Sequence, residues 1–168
     1  MIVTVYVGWE KKDGSYSCSH LFGKGLLGPE ALTLPQKELH ILSVGSDVAE
    51  LLSMILEEWV EEILVAGDSE IALCWILYET VKLNQYNRVR VINITTKLNM
   101  ENLFHIKRSE NPADIGTRVA AVSATDVCAG SDYLSGKDWL KYSKADAIKA
   151  GIIKPEESIK ERYCLRQF

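Results

Sequence analysis

Glu62-Ile63-Leu64-Val65-Ala66-Gly67-Asp68-Ser69-Glu70-Ile71-Ala72-Leu73-Cys74-Trp75-Ile76 opens as an apolar run, breaks at Gly67-Asp68-Ser69 and resumes with helical spacing. Glu62 to Ala66 reads as a short buried strand, and Glu70 to about Lys82 as the helix that follows it. A strand that turns sharply into a helix points to a mixed α/β fold. Asp68 then stands at the C-terminal end of the strand, the side on which open α/β sheets hold their ligands. Its plainer role would be to cap the helix that follows.

Towards the N-terminus, Ile2 to Trp9 alternates like a strand, with Val3, Val5, Val7 and Trp9 on one face. Lys12-Asp13-Gly14-Ser15 is a turn signal, and Tyr16 to Phe22 returns as a second strand. Asp13 precedes Gly14, which makes it a turn residue rather than a catalytic acid. Gly23 to Thr33 holds three glycines and Pro29 and reads as a loop. A long helix is expected from Pro35 to Trp59, with Thr33 as its cap. Its apolar positions are Ile41, Leu42, Val48, Ala49, Leu52, Ile55, Leu56 and Trp59. One turn back along that stripe lies Glu38, whereas Asp47 and Glu57 fall mostly off it. A carboxylate on a core-facing stripe must be paired, protonated or metal-bound. Alternatively, Glu38 serves the helix dipole from a partly exposed first turn.

Towards the C-terminus, a second amphipathic segment runs through Tyr86, Val89, Val91, Ile92 and Ile94, and Leu103 to Lys107 forms another short strand. Asn111-Pro112-Ala113-Asp114 opens a helix, with Asn111 as cap and Pro112 at the first helical position. Asp114 in that first turn either complements the dipole or contributes to a site. From Asp126 onward the pattern weakens to small helical pieces around Trp139 and from Lys144 to Ala150. The expected division is a main domain over 1–125 and a helical extension over 126–168.

Composition narrows the class. Apolar residues make up 47% and charged residues 25% of the 168, as in ordinary globular domains. Charge interrupts every apolar run before the ~20 residues a membrane span needs, and the start lacks a basic region and a cleavage site. The four cysteines are too irregularly spaced for a zinc knuckle or a disulfide framework, so reduced thiols and an intracellular, non-secreted location are expected. Net charge is −4, which argues against holding nucleic acid by bulk charge alone. The acids concentrate between Asp47 and Glu70, and Arg88, Arg90, Lys97, Lys107, Arg108 and Arg118 lie in the following basic half. Those cations are open to two readings, phosphate contact or a solvated helix face.

Glu38, Asp68 and Asp114 thus lie on separate elements, each near an element end. Oxygen ligands of this kind suit Mg²⁺ or Mn²⁺ and leave room for water and phosphate oxygens. Three ordered stretches add to this. They are Leu32-Thr33-Leu34-Pro35-Gln36-Lys37-Glu38-Leu39, then Gly67-Asp68-Ser69 with Ala72-Leu73-Cys74-Trp75-Ile76, and then His105-Ile106-Lys107-Arg108-Ser109-Glu110-Asn111-Pro112-Ala113-Asp114-Ile115-Gly116-Thr117-Arg118. Together they resemble the ribonuclease H region of BEL/Pao-type LTR retrotransposon polyproteins. Gly136-Lys137-Asp138-Trp139-Leu140 is similar to a Gly-Pro-x-Trp-Leu stretch that trails that region. The resemblance spans residue 1 to about residue 141.

It implies an α/β, ribonuclease H-like five-stranded mixed sheet flanked by helices. The implied activity is endonucleolytic cutting of RNA in RNA–DNA hybrids during reverse transcription, with Mg²⁺ or Mn²⁺ as cofactor. Glu38, Asp68 and Asp114 match three of the metal-binding acids, and His105 matches a histidine that precedes the last one. His105 has an equally good reading as a hydrogen-bonded residue at a strand end. Trp75 and Trp139 are assigned to packing. The implied partners are the hybrid and the reverse transcriptase portion of the same polyprotein, with no membrane.

One departure accompanies the match. The family carries an Asp-bearing strand ahead of the segment that Met1 to Trp9 resembles, in the middle of the sheet. The chain is therefore expected to lack its first (central) strand and first catalytic Asp, which leaves its standing as an enzyme uncertain. The alternative is a non-catalytic remnant that serves as a nucleic-acid-binding or structural interaction module.

Overall fold

The computed structural model describes residues 1–78, 82–117, 124–155 and 157–159. Its strands are β1 (Ile2–Glu10), β2 (Tyr16–Gly25), β3 (Val65–Gly67), β4 (Leu103–Ile106) and β5 (Ile153–Lys154). Its α-helices are α1 (Leu34–Ile55), α2 (Glu70–Leu77), α3 (Gln85–Lys97), α4 (Asp132–Ser135) and α5 (Lys144–Lys149). The fold is mixed α/β. Among the described residues, hydrogen bonding groups the strands as a two-stranded sheet, β1-β2, and a three-stranded sheet, β3-β4-β5. By contacts the chain forms two compact units, one from 1–27 with 107–153, the other from 28–106 with 154–168. These units interleave along the chain, a different partition from the lengthwise one at 125.

The first unit is built on the hairpin. β1 and β2 pair antiparallel from Ile2↔Gly25 to Glu10↔Tyr16. Asp13 accepts hydrogen bonds from the Ser15 amide (2.9 Å) and hydroxyl (2.6 Å), and Gly14 takes φ +79°, so this is the turn the sequence reads. A register shift opposite Val5/Tyr6 leaves Leu21 without a pairing partner, and its side chain is exposed. Strand β2 also runs on to Gly25, where a loop was expected from Gly23. At Gly23 the absence of a Cβ leaves room for the Tyr133 hydroxyl, which would stand 2.5 Å from one. The Tyr6 hydroxyl donates to the Tyr133 carbonyl at 2.6 Å, and the His20 ring packs against both tyrosine rings.

The second unit is built on α1 and the parallel pair β3 and β4. The Gln36 side-chain carbonyl accepts from the Thr33 amide at 3.0 Å and Pro35 lies in the first turn, so this helix start was legible. The end was not. The helix stops at Ile55 rather than Trp59. No glycine or proline marks that point, but Glu57, Glu58, Glu61 and Glu62 crowd the negative end of the dipole. A carboxylate there is disfavoured by about 0.3–1 kcal/mol.

The buried face of α1 also differs from the expected stripe. It comprises Leu39, Leu42, Ser43, Ser46 and Ala49, while Leu51, Met54, Ile55 and Trp59 are exposed. The cause is α3. Arg90 Nε donates to His40 Nδ1, Asn93 donates to Ser43 and Asp47, and Lys97 pairs with Asp47 and Glu50. These contacts advance together along both helices, so α1 and α3 run in the same direction, and their polar seam sets the rotation of α1.

β3 pairs parallel with β4 as Val65↔Leu103, Ala66↔Phe104 and Gly67↔His105. β3 starts later than the expected strand and is not fully buried, since Leu64 and Ala66 face outward. β4 is buried along its whole length. A Cβ at Gly67 would stand 3.0 Å from Leu42 Cδ2, so α1 lies on the strand at a distance that glycine allows. Leu39, Leu42, Leu73, Ile94 and Leu103 share one core with the partly buried Trp75, a packing role as expected. Helix α2 ends at Leu77, and residues 79–81 of its expected span, which ran to about Lys82, lie outside those described. No helix among the described residues is long and apolar enough to cross a membrane.

Leu73 is fully buried, so Leu73→Ala is expected to lower stability by about 2–5 kcal/mol in urea unfolding. Ile55→Ala, on the exposed end of the same unit, should stay within about 0.5 kcal/mol. Similar losses in the two variants would contradict this assignment of the core.

Candidate functional site

Parallel pairing in register brings the ends of β3 and β4 together, and two of the singled-out residues sit there. His105 pairs in register with Gly67, and Asp68 follows directly. Asp68 does not cap α2: Ser69 is the N-cap and accepts from the Ala72 amide at 3.3 Å. That leaves the half-buried Asp68 carboxylate at the mouth of the strand pair.

His105 is 8% exposed. Burial holds its imidazole below the ordinary histidine range, and the Lys154 charge adds to this. Glu70 and a backbone hydrogen bond to Asp68 act in the opposite direction. Glu70 Oε1 stands 3.9 Å from His105 Nε2, in reach of an ion pair only when the ring is protonated. His105 is thus anchored as a strand-end residue beside the Asp68 backbone, one of its two expected readings. Glu70 and Lys154 were not singled out from sequence. Glu70 carries a usable signal, as the first residue of a helix opening beside a strand end. Lys154 carries none, because only the tertiary fold brings it near.

Glu38 lies in the second turn of α1, half-buried and adjacent to the fully buried Leu39. Glu38, Asp68 and His105 belong to the second compact unit, and Asp114 belongs to the first. Asp114 is 8% exposed and lies in the first turn of a short 3₁₀ helix, Pro112–Thr117. Asn111 Oδ1 accepts from the Ala113 amide at 3.0 Å, so Asn111 caps this helix as expected. Arg108 Nε pairs with Asp114 Oδ1 at 2.9 Å, which compensates a carboxylate that is otherwise costly to bury. Nearby, the Trp139 indole donates to the Glu110 carbonyl at 3.0 Å and Lys137 donates to the Ser109 carbonyl. Trp139, assigned to packing, therefore also tethers the stretch that leads to Asp114.

Among the described residues, no group of three or more His, Cys, Asp or Glu stands together so as to hold a metal ion. Three cations of the basic half are engaged. Arg90 lies over the Tyr86 ring, 3.4 Å from its centroid, Lys97 serves α1, and Arg108 serves Asp114. Arg118 lies outside the described residues. Cys18, Cys74 and Cys128 are not joined in disulfides, and Cys164 lies outside the described residues. No protein-family model, curated protein or solved structure matches this chain.

His105 and His40 both lie below the ordinary range of 6.5, His40 through burial and the adjacent Arg90. A histidine depressed in the folded state favours folding above its unfolded pKa, and the contribution is lost as pH falls through the folded value. Stability is therefore expected to decline as pH drops below about 6.5, with His105→Gln and His40→Gln each flattening the decline. Urea unfolding between pH 7.5 and pH 5 measures it. An unchanged pH profile in both variants would contradict the assignment.

Proposed function

We propose that the chain is a ribonuclease H-type part of a retroelement polyprotein that engages RNA–DNA hybrids. The single observation that carries this reading is the parallel β3–β4 pair, with Asp68 and His105 side by side at its C-terminal end. Ligand sites of open α/β sheets occupy that edge. The order of the motifs around Glu38, Asp68 and Asp114 supports the same reading. In it, Glu38 and Asp68, which share the second compact unit, would be two of the acids that hold Mg²⁺ or Mn²⁺, and the ion would supply the charge that activates water. The protein's own part is recognition of hybrid shape and of the RNA 2′-hydroxyl.

A second reading, a non-catalytic module that binds nucleic acid or another protein, draws on a different observation. The buried Asp114 already has a cation in Arg108, so its burial needs no metal.

Binding and cleavage tests separate the two. The chain 1–168 is expected to bind an RNA–DNA hybrid at least about tenfold more tightly than duplex DNA of the same sequence at about 0.1 M salt. It is expected to cut the RNA strand in Mg²⁺ only slowly, since no three acids stand together among the described residues. Equal affinity for hybrid and duplex DNA would overturn the proposal. A rate comparable to an intact domain, abolished by Asp68→Asn, would show that these acids need no further partner.

A further inference from the structure

The end of α1 carries an apolar face that nothing among the described residues covers. Leu51, Met54 and Ile55 recur at helical spacing and are 55%, 72% and 65% exposed, and Trp59 just beyond is 83% exposed. Single exposed apolar side chains are ordinary, but four at one helix end form a patch. Beside it lies a cleft of about 580 Å³ whose apolar lining includes Met54, Val60, Ile63 and Leu98. That volume suits the insertion of large side chains.

The rim of this surface is acidic. Residues 47–62 contain Asp47, Glu50, Glu57, Glu58, Glu61 and Glu62 and no lysine or arginine. The one lysine lining the cleft, Lys97, is already bound to Asp47 and Glu50. Among the described residues, no cation pairs with Glu57, Glu58 or Glu61, which also face the negative end of the helix dipole. The surface thus combines an apolar centre with a concentrated negative field.

We propose that this face docks a cationic amphipathic helix of another protein. Its apolar side chains would cover Leu51, Met54, Ile55 and Trp59, with one entering the cleft, and its lysines or arginines would meet the glutamate rim. Helix-in-groove recognition takes this form, with apolar anchors at i, i+3 and i+4. The charge complementarity selects the partner class, since nucleic acid and anionic lipid surfaces are repelled by the same rim. The surface lies wholly in the second compact unit and does not depend on hybrid binding.

The test uses the full chain and a fluorescent 14-residue peptide of leucines at helical spacing with lysines elsewhere. The controls are the matching leucine/glutamate peptide, a lysine/serine peptide with no apolar face, and zwitterionic vesicles. The leucine/lysine peptide should bind at least about tenfold more tightly than either control peptide. Met54→Asp should weaken it about tenfold without changing the thermal midpoint, while Leu27→Asp, a fully exposed site outside this patch, should leave it unchanged. The double charge reversal Glu57→Lys/Glu61→Lys should lose the lysine peptide and gain the glutamate one. The proposal is overturned by an affinity indifferent to Met54→Asp or by equal losses in Leu27→Asp. It is also overturned by vesicle binding in place of peptide, or by a dimer of the chain that Met54→Asp dissolves.

Discussion

The close approach of helix α1 to strand β3 is the contact on which the larger unit depends. Leu42 meets the strand where Gly67 has no side chain, and that contact fixes where the strand can pair. The pairing Gly67↔His105 follows, and with it the adjacency of Asp68 and His105. α3 also holds the helix through a polar seam, so α1 has little freedom to rotate about its axis. A larger residue at position 67 would push on Leu42 in a core that includes Leu39, Leu73, Ile94 and Leu103. Close-packed interiors transmit such a displacement rather than absorb it.

The acids of this chain differ in how they are held, and that difference bears on function. Asp13 belongs to a turn. Asp47 is held below its ordinary range by Lys97 and Asn93, against the opposing effect of burial. Asp114 is buried against Arg108. Asp68 stands at the strand edge beside a histidine that burial keeps neutral at pH 7. A neutral imidazole there can accept a hydrogen bond as well as donate one, which a charged ring cannot.

Local chemistry was legible where a residue has few conformational alternatives. Asp13-Gly14 marked its turn, Thr33 with Pro35 marked a helix start, and Asn111-Pro112 marked a cap. Features set by distant partners were not legible. The end of α1 at Ile55 has no breaker residue, and its buried Ser46 is polar, so an apolar stripe could not locate the face. The irregularity at Leu21 arises from strand pairing. Arg90, Lys97 and Arg108 read as a basic run, but each is matched to a partner that only the fold brings near. For the candidate site, the sequence pointed to Asp68 and His105 separately, and register joined them. The contact units add that Asp114 belongs with the hairpin, a grouping that no local pattern carries.

Native-state hydrogen exchange on the chain tests the central role of α1 and the parallel pair most directly. The amides of Leu103–Ile106 and those of α1 from Leu39 to Ala49 are expected to exchange slowest, at a common free energy equal to that of global unfolding. Amides beyond Ile55 and at the hairpin turn should exchange faster. If the amides of Leu103–Ile106 exchanged as fast as those around Trp59, or opened independently of α1, the parallel pair would not be the centre of this fold.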